Sequence, residues 1–251
     1  MINKKNIKFF KKYGFIFKRN LIPASEIEQC LMSANKIKNK KNFDTKVSKY
    51  FEKSILNKKK EILVRVENFL NKEKNLTKLI KNKKILSNLN ILFNGKATLF
   101  KEKINYKLSG CRQDKLHQDS QAGWNKFCKK FISVLVALES SNLKNGCLQF
   151  DISGNNSKKI INNKMKPLKY LDLKKPNFKS FIMSPGDVVF FNNYVPHKSN
   201  SNRSKKSRVQ VYLTYNKSSD GNFRKAYLKD KELSYPPNNK RPEGIKFSYK
   251  V

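Results

Sequence analysis

Histidine is nearly absent from this chain: His117 and His197 are its only two in 251 residues. Any metal centre built on imidazole must use one or both. Tryptophan is rarer still, with Trp124 alone. Acidic side chains are few, 18 Asp and Glu against 56 Lys and Arg, which leaves a formal net charge of +38. An excess of that sign raises nucleic acid as a partner. However, no RNP-like, zinc-finger or helix-turn-helix signature accompanies it, and the lysines are spread along the whole chain. A composition bias accounts for the charge equally well, so no nucleic-acid partner is expected. The same charge favours encounter with small anions. The four cysteines (Cys30, Cys111, Cys128 and Cys147) form no CxxC pair, which excludes the usual zinc-ribbon and dithiol redox patterns and predicts reduced thiols. No apolar run approaches the about 18 residues of a membrane span, and residues 1–20 lack the apolar core of a signal peptide. A cytoplasmic protein without a membrane partner is expected.

A chain of this length can bury one substantial core. Residues 1–94 read as mostly helical. Ser25 with Glu28 has capping-box spacing, and over 43–92 apolar residues such as Ile62, Val66, Phe69 and Leu70 recur at three- and four-residue intervals. Asn94-Gly95 breaks the pattern. The period then changes to two: Lys101, Lys103, Asn105 and Lys107 share one face of 97–108, with Glu102, Ile104 and Tyr106 on the other. Further strands are predicted at 131–138, 147–152, 178–183, 188–192 and 208–215, separated by Asn145-Gly146, Ser153-Gly154 and Pro185-Gly186 turns. The expected fold is mainly β with N-terminal helices, an antiparallel sandwich or barrel of jelly-roll type. Residues 95–216 form its core, and 217–251 an irregular tail within the same structural domain.

The scarce histidines occupy suggestive places. His117-Gln118-Asp119 presents an imidazole and a carboxylate two positions apart, and on an extended segment these project to one side. His197 follows the Pro185-Gly186-Asp187 turn and an apolar strand, where a loop should open. Alone, each is an ordinary loop or surface residue. Together they supply two imidazoles and one acid, the facial donor set of non-haem iron centres. Arg208 opens a cleanly alternating strand, with Gln210, Tyr212 and Thr214 on its polar face. A fixed guanidinium there suits a dicarboxylate.

These residues, with Asn145-Gly146-Cys147-Leu148, His197-Lys198-Ser199 and Asn202-Arg203-Ser204, resemble the phytanoyl-CoA dioxygenase family. The likeness covers about residue 95 onward, with a looser match from Tyr13 to Glu28. It implies a double-stranded β-helix of the cupin-like kind and an oxygenase that uses Fe(II), 2-oxoglutarate and dioxygen. By the same likeness, His117, Asp119 and His197 hold iron, Arg208 binds 2-oxoglutarate, and Ser199 helps. Lys103-Ile104-Asn105-Tyr106-Lys107 resembles a strand that in ectoine hydroxylase and its relatives lends an asparagine to 2-oxoglutarate, here Asn105. Halogenating members replace the ligand acid with a small residue, so Asp119 implies hydroxylation.

The run from Tyr212-Leu213-Thr214-Tyr215-Asn216 through Asp220-Gly221, Tyr227, Asp230-Lys231, Pro236-Pro237 and Arg241 resembles the 2-aminoethylphosphonate dioxygenase branch. It implies hydroxylation of a small polar, anionic metabolite, with a 2-aminoethylphosphonate-like phosphonate favoured, and release of succinate and carbon dioxide. Lys101, Lys103, Arg112 and Gln210 are candidate substrate contacts, and Trp124 is either a pocket wall or core packing. Residues 110–116 depart from the glycine-rich loop common in relatives. That leaves open an amino-acid-like or other biosynthetic intermediate, and, in a different class, a basic metal-free binding protein on the same fold.

Overall fold

Among the described residues two antiparallel sheets carry the chain, and the larger is buried on both faces. The computed structural model describes residues 1–40, 47–162, 166–245 and 247. Helix α1 (Lys4–Tyr13) leads through β1 (Phe15–Lys18) and α2 (Ala24–Asn39) to the hairpin of β2 (Ser48–Lys53) and β3 (Glu61–Glu67). Helices α3 (Lys74–Ile80) and α4 (Lys83–Phe93) precede β4 (Ala97–Tyr106) and β5 (Asp114–His117). Next come β6 (Phe131–Ala137), β7 (Leu148–Asp151), β8 (Phe178–Ser180) and β9 (Val188–Asn192). The chain ends with β10 (His197–Ser199), β11 (Val209–Lys217) and α5 (Arg224–Ser234). The seven-stranded sheet runs β1-β9-β6-β11-β4-β3-β2, and the four-stranded sheet β5-β10-β7-β8.

Alternation explains the packing. On β6, Ile132, Val134 and Val136 join Ile27, Leu79 and Leu89 of the helices in one core. Leu135 and Ala137, pointing the other way, meet Leu148 and Phe150 of the smaller sheet in a second core. Strand β11 divides likewise, with Val209, Val211, Leu213 and Tyr215 toward the helices and Tyr212 toward the small sheet. Both sides of these strands are covered, so they read as continuous apolar runs. The polar residues interrupting the runs on the small-sheet side need a reason to be buried.

Several local expectations are corrected. Ile62 and Val66 lie on β3, not on a helix, and Phe69 and Leu70 follow it in a loop. A register shift between Tyr50 and Phe51 places a bulge in the hairpin, so Ile62 and Leu63 are both buried, as are Val66 and Glu67. That doubling erases the period of two. Phe43, near the start of the same pattern, lies outside the described residues. Ser25 is not a cap: Pro23 holds the N-cap of α2, with no side-chain bond. The tail is not irregular throughout, since it contains α5. Asn94 ends α4 in the left-handed conformation, as the Asn94-Gly95 break suggests. All four cysteines are free thiols. Among the described residues no helix is long and apolar enough to cross a membrane.

Candidate functional site

The two histidines face each other across neighbouring strands. His197 of β10 pairs in register with His117 of β5, and their ring centroids are 4.2 Å apart. His117 Nδ1 lies 2.6 Å from the Lys115 carbonyl oxygen, and His197 Nδ1 lies 2.9 Å from that of Val195. A carbonyl only accepts, so each Nδ1 carries a hydrogen and each Nε2 is the nitrogen left to face a metal. Asp119 begins the 3-10 turn Asp119–Ala122 directly after β5. The ligand atoms of His117, Asp119 and His197 all lie within 4.8 Å of one another.

Gln118, fully buried between two of these residues, clips the turn in place. Its Nε2 donates to the carbonyls of Asn156, Lys159 and Tyr194, and its Oε1 accepts from the Ile161 N–H. Through Tyr194 it ties the His-x-Asp turn to the loop that precedes His197. The Ser133 hydroxyl donates to Asp119 Oδ2 at 3.2 Å and lies 3.0 Å from Thr214 Oγ1, which orients the carboxylate. Burial, reinforced by His197, pushes the His117 imidazole down to about 3, so it is neutral at ordinary pH. Burial would raise Asp119, but His197, Lys103 and Lys101 outweigh it and hold the acid below its usual range, ionised.

The buried polar residues of the large sheet form rows beside this centre. Strand register aligns Ser133, Thr214 and Lys101 in one row, and Leu135, Tyr212 and Lys103 in the next. A third row holds Ala137, Gln210 and Asn105. A cavity is lined by His117 and Asp119 together with Arg65, Lys101, Lys103 and Trp124, and by Tyr227, Asp230 and Lys231 of α5. Lys101 Nζ stands 4.1 Å from the Trp124 ring centroid and 5.4 Å from that of Tyr227. Lys103 Nζ stands 4.7 Å from the Tyr212 ring. Burial lowers both ammonium groups, with Lys103 adding to the effect on Lys101 and Arg65 to that on Lys103. Trp124 packs with Phe100 and Phe131 and also lines the cavity, so it is both wall and core. Helix α5 is fastened over the cavity by Arg224, which pairs with the buried Glu102 of β4 through Nη1 and Nη2.

A second cavity, lined by Asn105, Lys107, Asp114 and Arg208, adjoins the first at Arg65. Arg208 is 1% exposed and donates through Nη1 to the Gly146 carbonyl. Gly146 has φ 75°, and a Cβ there would lie 2.3 Å from the Asn200 carbonyl oxygen. The Asn145-Gly146 turn therefore admits only glycine comfortably and sets the carbonyl that holds the arginine. Arg208 Nε and Asn105 Oδ1 are buried without a hydrogen-bond partner. Such orphans fit a polar ligand that is absent from the chain itself. The structure thus brings Lys101, Lys103 and Trp124 to the histidines, and Arg208, Ser199 and Asn105 to the neighbouring end. Arg112 stands with the second group, bound to Glu52 with Nε 2.8 Å from Oε2. Gln210 lines neither cavity and accepts from the Tyr212 hydroxyl at 3.2 Å.

Sequence reasoning missed Gln118 as a staple, Ser133 as a carboxylate partner, and Lys107 with Asp114. It also missed Arg65, whose strand it read as helix. Lys107 was visible on the polar face of 97–108, and Tyr227 and Lys231 lay within the tail that carried a family likeness. Asp114 left no signal.

The donor set fits iron, with two imidazoles whose Nδ1 atoms are held by carbonyls and an ionised carboxylate. The partnerless guanidinium nitrogen fits the far carboxylate of 2-oxoglutarate. Fold and site together define a non-haem iron, 2-oxoglutarate-dependent dioxygenase on a double-stranded β-helix. The family model for phytanoyl-CoA dioxygenase matches residues 10–209, and the chain belongs to that family. It is 35% identical over 201 residues to a 2-aminoethylphosphonate dioxygenase of the uncultured bacterium HF130_AEPn_1, covering 80% of this chain and 76% of the relative. It is also 35% identical over 141 residues to a methylphosphonate hydroxylase of Gimesia maris, covering 55% of this chain but 53% of that protein. Among solved structures, the epimerase SnoN in complex with Fe3+, alpha-ketoglutarate and nogalamycin RO superposes with a TM-score of 0.72 at 14% identity, covering 98% of this chain and 93% of that one. EctD from S. alaskensis, with 2-oxoglutarate and 5-hydroxyectoine, gives 0.70 at 16% identity, covering 87% and 77%.

Proposed function

We propose that this dioxygenase hydroxylates a small phosphonate of the 2-aminoethylphosphonate kind. The observation that carries the reading is the charge of the cavity beside His117 and Asp119, where Arg65, Lys101, Lys103 and Lys231 converge. Lys101 is buried and Lys103 half-buried, both ammonium groups are held below their ordinary range, and an anion would relieve that cost. A phosphonate offers oxygens to both lysines at once. The relatives named for phosphonate oxidation support the same class.

In this reading His117, Asp119 and His197 hold iron, and Arg208, Ser199 and Asn105 orient 2-oxoglutarate. When bound, iron with 2-oxoglutarate and dioxygen supplies oxidation of an unactivated C–H bond, with succinate and carbon dioxide as by-products. The chain does the rest. Lys101 and Lys103 fix the anionic end, Trp124 and Tyr227 exclude water from one side, and Asp230, which lines the cavity and pairs with Lys126, receives a substrate ammonium. Held at one end, the substrate would present its carbon to the side of the cavity where His117 and Asp119 stand. The test is a panel of phosphonates and amino-acid-like acids scored by substrate-dependent succinate release. Stimulation by 2-aminoethylphosphonate or a close analogue is expected. Stimulation by carboxylates alone would overturn the substrate class.

A further inference from the structure

Lys107, Asp114 and Ser199 form a closed triangle beside Arg208, and its charge does not balance. Lys107 Nζ lies 2.9 Å from Asp114 Oδ2 and donates to Ser199 Oγ at 2.5 Å. The Ser199 hydroxyl donates in turn to the same Asp114 oxygen at 2.5 Å. Burial disfavours the Asp114 carboxylate, but Lys107, Arg208 and the Ser199 bond outweigh it and keep it ionised. Lys107 and Arg208 are both buried, so two interior cations face one carboxylate. Two further cations line the cavity, Arg112 and Arg65, and each is matched by a carboxylate, Glu52 and Glu67. One positive charge is left in excess, at Arg208, whose Nη1 meets only a neutral carbonyl and whose Nε meets nothing. Asn105 Oδ1, lining the same cavity, is also partnerless.

Resting on the assignment of this cavity to 2-oxoglutarate, we propose that Asp114 is the counter-ion that sets co-substrate selectivity: by neutralising Lys107, it leaves the Arg208 end with charge for one carboxylate and no more. The far carboxylate of 2-oxoglutarate brings that single charge, and Arg208 Nε offers it a donor. A 2-oxo acid without a far carboxylate leaves the excess uncompensated. A divalent anion overshoots neutrality beside Arg208. Ser199 acts through Asp114 and Lys107, holding the pair together.

The test is calorimetric titration of the full chain loaded with Mn(II), using 2-oxoglutarate, 2-oxobutyrate (which lacks the far carboxylate) and sulfate as probes. Asp114→Asn should tighten 2-oxoglutarate by about tenfold, the scale of one charge-assisted contact, and make sulfate a competitor. Lys107→Met, which leaves Asp114 against Arg208, should weaken 2-oxoglutarate by about tenfold or more. The double variant restores the charge count and should return to within about threefold of the wild type. In every variant 2-oxobutyrate should move by less than about threefold. Equal 2-oxoglutarate affinity in all variants would reduce the triangle to a structural ion pair. A double variant as weak as Lys107→Met would show that Lys107 itself contacts the ligand. A wild-type chain that ignores 2-oxoglutarate would sink the co-substrate assignment as well, which separates the two failures.

Discussion

Lys101 offers a perturbation with opposite signs for stability and activity. Its ammonium is 7% exposed, stacked between Trp124 and Tyr227, and lowered well below the ordinary lysine value of 10.5 chiefly by burial. Methionine matches its shape without the charge. Replacing a buried ion by an apolar side chain of similar volume is neutral to stabilising by about 1–4 kcal/mol. For a chain of this size each kcal/mol is worth about 2–4 °C in Tm. Losing one charge-assisted contact to a phosphonate costs about 1.5–3 kcal/mol, or about 10- to 100-fold in kcat/KM. Lys101→Met should therefore melt no lower than the wild type while losing most of its activity.

The pH dependence of Lys101 follows in sign. The folded chain releases the Lys101 proton at lower pH than the unfolded chain, so the unfolded state binds more protons between the lowered value and 10.5. Across that interval stability should rise with pH, while phosphonate binding fades as the ammonium is lost. Thermal melts and succinate release measured over the same pH series would show both trends, and Lys101→Met should lack both. A variant that melts lower and keeps kcat/KM within about twofold would refute the assignment of Lys101 to the substrate.

His117→Ala and Asp119→Ala should each abolish succinate formation and weaken metal uptake in equilibrium dialysis; turnover retained in both variants would remove the iron assignment. Arg208→Ala should raise the 2-oxoglutarate requirement by about 10- to 100-fold, read from KM, through loss of a charge-assisted pair. Arg224→Ala leaves the Glu102 carboxylate buried without its partner and should cost about 3–5 kcal/mol, measured by urea denaturation. A loss under about 1 kcal/mol would mean that α5 is held down by its aromatic contacts instead.

The chemistry of the centre was more legible in the sequence than its scaffold. His117, Asp119 and His197 stood out because histidine is so scarce, and the alternation of 97–108 and 208–215 sorted Lys101, Lys103 and Asn105 from Ile104 and Tyr106. The β2–β3 hairpin was illegible because its bulge buries neighbours in pairs, and Ile62 and Val66 then fall at helical spacing. Strands β5 and β10 are four and three residues long, too short for a period to show. Helix α5 buries only Tyr227 along its length, so nothing apolar marked it; a pairing with Glu102 far upstream holds it instead. The triangle of Lys107, Asp114 and Ser199 draws on three separate segments, and only tertiary structure assembles it.

The in-register pairing of His117 with His197 makes a bound ion a rivet between two strand ends. The ladder between β5 and β10 loses its regular step immediately past that pair, so few backbone bonds protect the seam on their own. A cation gripping both imidazoles would hold shut this edge of the smaller sheet, and a slip by a single residue would send one ring to the opposite side. Fidelity of β-pairing and possession of the metal would then be the same property. Amide exchange at 114–117 and 197–199 should slow on loading with Mn(II), ahead of any change in the larger sheet.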